Sequence, residues 1–252
     1  MALYGVLGDI HGNREALSAA LDALGGRGVE RILCVGDVVG YNADPDECAL
    51  LLRASDALCV AGDHDLIGTG RLGFEGVTSR LRYSLKRTRR RLSRAAREWL
   101  EAQPATRLVD EAIALVHGDV REVRHPMASA EEIRRNAGLL EEDLPGARIC
   151  FFGHSQVQKL YEVEAGAVEE MAFPLARVQL RRDAVYFANP GSVDAQAKPE
   201  HRFAECALFD SEQWAIEFIR VPYDTAAAEA KAEAGGYRIG PITQLAYCLR
   251  HF

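Results

Sequence analysis

Four of the seven histidines and a matching set of aspartates fall into five short blocks, each placed directly after an apolar run. Asp9 and His11 follow Gly8, Asp37 follows Gly36, and Asp63, His64 and Asp65 follow Gly62. His117 precedes Gly118, and His154 follows Gly153 with Ser155 and Gln156 behind it. Imidazole together with carboxylate is the donor set suited to Zn²⁺, Mn²⁺ or Fe. Carboxylates gathered in one place without a counter-charge repel one another and lose hydration, a conflict that bound cations resolve. Two such ions about 3.5–4 Å apart, sharing a bridging carboxylate, are a recurrent hydrolytic arrangement. Turn and capping roles account for Asp and Gly at strand ends, but not for the recurring histidines.

The elements that must bring these blocks together are legible in the runs before them. Residues 3–7, 32–35, 58–61, 113–116 and 149–152 are apolar over four or five positions, as expected of strands covered on both faces. Between them, residues 13–24 carry Leu17, Leu21 and Leu24 at helical spacing, and residues 45–54 open on Pro45. This βαβαβ order predicts that the carboxyl ends of parallel strands converge on one crevice, the place where ligands bind in α/β sheets. Beyond residue 152, strands are expected at 159–163, 177–180, 185–188, 206–209 and 214–221 without helices between them, so that half reads as antiparallel or mixed. The fold class expected is α/β, two mixed sheets packed as a sandwich flanked by helices, in a single domain over 1–252. A helical insertion is expected near 76–102, and C-terminal helices at 224–234 and 242–249.

Hydrophobic residues at 48% and charged residues at 27% describe an ordinary folded chain, and 252 residues suffice for a full core. A net charge of −7 argues against coating long nucleic acid. Nine of the 30 basic residues crowd between Arg80 and Arg97 without an acid, interleaved with Leu81, Leu85 and Leu92. That pattern reads as an amphipathic helix with a solvated charged face; its rival is a cap that attracts polyanionic substrates. The six cysteines form no CxxC pair, and Cys34, Cys59 and Cys150 lie in apolar runs, the pattern of reduced, buried thiols. No leader segment and no run of about 18 apolar residues is present, so a cytoplasmic location with no membrane partner is expected. A P-loop and a GxSxG elbow are both missing from the sequence.

The five blocks, in this order, resemble those of the calcineurin-like metallophosphoesterase superfamily: D-x-H, G-D, a block usually written G-N-H-D, H-G and G-H-x-H. The stretch from Val39 to Glu47 and the run Asn189 to Val193 resemble its bacterial and archaeal branch of small phosphodiesterases and diadenosine-tetraphosphatase-like proteins. The resemblance implies that Asp9 and His11 hold a first metal, that Asp37 bridges two, and that Asp63, His117 and His154 hold the second. It implies that His64 faces the phosphate as general acid or as a charge donor to the leaving oxygen, and that a metal-bridging hydroxide hydrolyses a phosphomonoester or phosphodiester. The cofactors expected are two divalent or mixed-valence ions of Mn, Zn or Fe, and the substrate a small phosphorylated molecule, nucleotides among the candidates. Two positions depart from the family pattern: Asp63 stands where Asn is usual, and Gln156 where many relatives have His.

Around this set, Tyr41, Asn42 and Asn13 are candidates for touching substrate, and Gln156 for completing the first ion's surroundings. Asp65 is expected to orient a neighbour, Asp119 to serve its loop, and residues 189–192 to brace the metal loops. His125, His201 and His251 read as surface or packing residues. The principal alternative is a non-catalytic metal-binding scaffold of the same fold; the retained His64 disfavours it and Gln156 is the point in its favour. A metal-dependent amide or thioester hydrolase uses similar ligands but seldom this order of blocks.

Overall fold

The structure, a computed structural model, describes residues 2–172, 177–194 and 202–238. Two six-stranded mixed sheets carry the chain. The first contains β1 (Leu3–Leu7), β2 (Arg31–Cys34), β3 (Leu58–Cys59), β9 (Arg177–Gln179), β11 (Phe203–Asp210) and β12 (Ala215–Pro222), in the order β3-β2-β1-β11-β12-β9. The second contains β4 (Arg107–Val109), β5 (Ile113–Leu115), β6 (Ile149–Phe151), β7 (Lys159–Glu164), β8 (Ala167–Glu170) and β10 (Val185–Asn189), in the order β4-β5-β6-β10-β7-β8. Strands β1, β2 and β3 run parallel, as do β5, β6 and β10, and the remaining pairs are antiparallel.

Alternation along each strand explains why the early runs are apolar throughout. Tyr4, Val6, Leu33 and Val35 point toward Ile113, Leu115, Ile149, Phe151 and Tyr186 of the facing sheet, forming the core between the sheets. The residues between them point the other way: Leu7, Ile32 and Cys34 pack on helices α1 (Arg14–Gly25) and α2 (Pro45–Ala54). Ala114, Cys150, Phe152 and Phe187 pack on Ile133 and Leu140 of α6 (Ala130–Asp143). A strand buried on both faces has no polar side to show, and burying each such Leu, Ile or Phe contributes about 1.5–3 kcal/mol.

Between β3 and β4 lie α3 (Asp63–Thr69), α4 (Ser79–Arg91) and α5 (Arg94–Glu101). The last two fill the expected insertion, whereas α3 starts inside a block read as a loop. Helix α6 and the short strands β4 and β8 were also not anticipated. Helix α7 (Thr225–Ala234) occupies the first of the two expected C-terminal helices. The second, at 242–249, lies outside the described residues, as do His201 and His251. Among the described residues no helix is long and apolar enough to cross a membrane.

The basic stretch corrects its expected reading as a solvated face. Arg82, Arg89, Arg91 and Arg97 donate to the main-chain carbonyls of Phe74, Ile67, Ala43 and Thr69 at 3.1, 2.7, 2.9 and 3.1 Å. Their guanidinium groups clamp the end of α3 and the loops around α3 and α4, adding donors to carbonyls at a helix end and in loops. Arg80 and Arg90 are exposed and take no part in this.

Candidate metal centre

The loops leaving β1, β2, β3, β5 and β6 turn into one polar pocket at the carboxyl ends of those strands. Turning so abruptly puts Asp9, His11, Asp37, His154 and Gln156 at φ of 50, 53, 55, 62 and 57°, the left-handed region that side chains other than glycine rarely enter. Each such residue costs of order 1–3 kcal/mol, and such costs gather where function demands a geometry. Main-chain lacing holds the turns in place: Ile10 and His11 both donate to the Asp37 carbonyl, at 2.8 and 2.9 Å, and Asp9 donates to Gly36. Gly62 lies so close to Asp37 that a Cβ there would stand 2.1 Å from its Oδ1, so only glycine lets the second and third blocks meet.

The side chains converge accordingly. Asp37 Oδ1 accepts from the His64 amide at 2.9 Å. Its Oδ2 looks into the pocket, 3.4 Å from His117 Nε2, 3.8 Å from His64 Nε2 and 3.9 Å from His11 Nδ1. Asp63 Oδ1 lies 3.5 Å from His117 Nε2 and 3.4 Å from His154 Nδ1, and Asp9 Oδ1 lies 3.9 Å from His11 Nε2. Donor atoms around one ion at bond lengths near 2.1 Å sit about 3–3.5 Å apart, so this spacing is that of a ligand set. Three trios each bring their donor atoms within 4.8 Å of one another: Asp63, His117 and His154; Asp9, Asp37 and His117; and His11, Asp37 and His64. Asp37 belongs to two of them, and His117 links the Asp9 trio to the Asp63 trio.

The pocket's own polar atoms are unsatisfied. Both Asp9 carboxylate oxygens, His11 Nδ1, Asp63 Oδ1 and His64 Nδ1 are buried without a hydrogen-bond partner. Leaving one such group unpaired costs about 1–3 kcal/mol, more if charged, and here five atoms face the same space. Cations fit that donor set.

Electrostatics say the same. Burial pushes the Asp9 carboxyl up to about 7, with neighbouring Asp37 and Asp63 adding to the rise against the imidazoles. Burial drives the His11 imidazole down to about 3, helped by His64. For Asp37 burial pushes upward, but His117 and His64 outweigh it and hold the carboxyl at about 2. Asp63 is likewise held well below the usual range by His117 and His154, against its burial. Three carboxylates in one dry pocket thus compete for too little positive charge.

Supporting contacts fix the orientations. His117 Nδ1 donates to the Val35 carbonyl at 2.7 Å, which leaves Nε2 as a lone pair aimed at the cluster. The Gln156 carboxamide reaches His11 Nε2 at 2.9 Å, so this departure from the family pattern sits in contact with the pocket. Asp65 accepts from the Val39 and Gly62 amides, and Asp119 from those of Arg121 and Glu122. Both orient loops, as expected. Asn189 Nδ2 donates to the Gly153 carbonyl, and Ser192 Oγ to the Asp9 carbonyl, which is the bracing anticipated for that turn.

The three substrate candidates divide. Tyr41 lies against the pocket, its ring centre 5.1 Å from that of His11 and 5.0 Å from that of His64. Asn13 is committed elsewhere: Oδ1 caps α1 through the Ala16 amide, and Nδ2 donates to Asp194 and Tyr223. Asn42 donates to the His11 carbonyl and to Asp194 and accepts from Arg238, so both asparagines hold loops. Asp194, the buried acid that joins them, directly follows the Asn189–Val193 run, yet its spacing alone gives no sign that it bonds Asn13 and Asn42. Arg238, which also donates to the Tyr41 carbonyl at 3.2 Å, was missed for the same reason.

Comparison with known proteins agrees with this geometry. The chain is 29% identical to the uncharacterized protein MJ0912 of Methanocaldococcus jannaschii, over 91% of each chain. Its structure is similar to that of a metallophosphoesterase from Sphaerobacter thermophilus, with a TM-score of 0.79 at 26% identity and 98% of both chains covered. The hypothetical protein PH1004 from Pyrococcus horikoshii OT3 shares the fold at a TM-score of 0.74 and 20% identity, covering 94% of this chain and 95% of that one. The family model of the calcineurin-like phosphoesterase superfamily domain matches residues 2–213, and the chain belongs to that superfamily.

Proposed function

We propose that the protein is a dinuclear metal-dependent phosphoesterase acting on small phosphomonoesters or phosphodiesters. Asp9, His11 and Asp37 hold one cation in this reading, and Asp37, Asp63, His117 and His154 the other. The observation that carries it is a set of five buried polar atoms without partners, on residues that belong to three overlapping trios of close donor atoms. When bound, two such ions supply an acidified water and positive charge for the phosphoryl oxygens.

The chain's own residues do the rest. His117, locked through Val35, presents only Nε2 and keeps the centre from rotating away. Asp37 is pinned by the His64 amide, so one oxygen remains for the pocket. His64, buried with Nε2 3.8 Å from Asp37 Oδ2, delivers a proton to the leaving oxygen in this reading, a role typically contributing about 100- to 10,000-fold. No phosphorylated enzyme is needed, because a water is the nucleophile. Asp63 in place of Asn adds a negative charge and favours a tighter-bound or more highly charged ion. Titrating metal into Asp63→Asn tests this, and unchanged or improved affinity refutes it.

Residues 1–252 act as one domain in this reading, supported by a core to which strands from β1 through β12 contribute. The five described cysteines are free and buried, which supports a reducing, cytoplasmic setting. The test is reconstitution with Mn²⁺ or Zn²⁺, followed by metal analysis, thermal unfolding and turnover of an aryl phosphate and a bis-aryl phosphate. About two ions per chain, a raised unfolding temperature and hydrolysis are expected. Bound metal without turnover of either ester identifies the scaffold alternative, for which Gln156 is the supporting departure.

A further inference from the structure

Of the nine basic residues between Arg80 and Arg97, one is placed to meet a substrate. Helix α4 lies along the loop after Asp37, with Ser84 Oγ and Thr88 Oγ1 donating to the Gly40 carbonyl and Arg91 to that of Ala43. The same face brings Arg80, in the first turn, over the Tyr41 ring, with its guanidinium carbon 5.6 Å from the ring centre. Tyr41 in turn stands edge-on to His64 and His11, so one aromatic ring separates this cation from the pocket. Arg80 is exposed, and among the described residues it has no carboxylate partner. Arg238 is committed elsewhere, donating to the Tyr41 carbonyl and to Asn42 Oδ1, with Asp194, Glu229 and Glu233 offsetting its charge. Arg80 is thus the cation left to meet an anion, and a guanidinium on an aromatic face is held in place before the ligand arrives.

We propose that Arg80, positioned by Tyr41, binds a second anionic group of the substrate, so that the enzyme favours phosphoesters carrying a further phosphate about one ring-width from the reacting one. This rests on the phosphoesterase reading above. It also accounts for how an acidic chain admits a polyanion: the cations at the mouth offset the surrounding negative charge.

The test compares the p-nitrophenyl ester of thymidine 5′-phosphate with the same ester carrying a 3′-phosphate, on wild type, Arg80→Ala and Arg80→Lys reconstituted with Mn²⁺. Calorimetric binding of thymidine 3′,5′-bisphosphate and thymidine 5′-phosphate provides a readout independent of turnover. Wild type is expected to prefer the bisphosphate ester, and Arg80→Ala to lower that preference about tenfold, through KM rather than kcat. The bisphosphate affinity should fall in parallel, with partial recovery in Arg80→Lys. A wild type without preference, or a variant that lowers both esters by the same factor, overturns the subsite while leaving the phosphoesterase reading standing. A wild type that hydrolyses neither ester, yet binds the bisphosphate more tightly in an Arg80-dependent way, keeps the subsite and removes the reaction.

Discussion

The pocket at the strand ends and the arginine-rich helix beside it both concentrate charge, and they handle it in opposite ways. Around α4, guanidinium groups are matched to carbonyls: Arg89 donates to Ile67 at 2.7 Å and lies over Phe74, and Arg97 reaches Thr69. In the pocket, Asp9 has no partner for either oxygen, and His11 and His64 each leave a ring nitrogen unpaired. Crowding of one residue type is therefore no measure of function. What separates the two regions is where the charged groups spend their bonds: Arg89 and Arg97 each donate to main-chain carbonyls, whereas the Asp9 carboxylate makes no hydrogen bond at all, and a group committed to the main chain has less to offer a ligand.

That contrast can be broken by substitution. Asp37→Asn removes the charge at the centre of the pocket, and should lower kcat/KM by at least about a thousandfold with loss of bound metal; retained metal and turnover would dissolve the distinction. His64→Ala should lower kcat by about 100- to 10,000-fold while metal content by elemental analysis stays the same. If metal is lost instead, His64 is a ligand and the trio it forms with His11 and Asp37 is the true first site. On the architectural side, Arg89→Ala should cost about 1–3 kcal/mol in denaturant unfolding, because the Ile67 carbonyl loses one of its two donors and the Leu72 carbonyl loses the Arg89 donor, with metal content unaffected. Arg90→Ala, exposed and without a described partner, should move stability by less than about 0.5 kcal/mol. An Arg90 effect as large as that of Arg89 would mean that the clamping contacts are not what stabilises the region.

Legibility followed the strength of the local pattern. The strands ahead of the metal blocks stood out because both of their faces are buried, and the blocks stood out because Asp and His interrupt such runs with nothing local to explain them. Helix α3 leaves no trace in the spacing, since its seven residues, Asp63–Thr69, are too few to show a period and begin with the site itself. Helix α6 had a signal that went unused: Ser129 and Glu132 form a capping box ahead of Ile133 and Leu140. The short strands β4 and β8 carry no alternation to detect; in β8 no residue is fully buried. Arg80 was visible only as part of a basic run, and Arg238, Asp194 and the commitments of Asn13 and Asn42 depend on contacts across the fold. Spacing in the chain says nothing of these.

The brace from Ser192, Val193 and Asp194 to Gly8 and Asp9 has a consequence for how the molecule is made. The first block to leave the ribosome can be set in its final turn only after a stretch some 180 positions later has emerged, since Ser192 stands 183 residues from Asp9. Contacts of such long separation form late, once the entropy of closing the loop has been overcome. A nascent or truncated chain ending before that stretch therefore carries all the acids and imidazoles of the five blocks but lacks the three bonds from Ser192, Val193 and Asp194 that hold the Gly8–Asp9 turn.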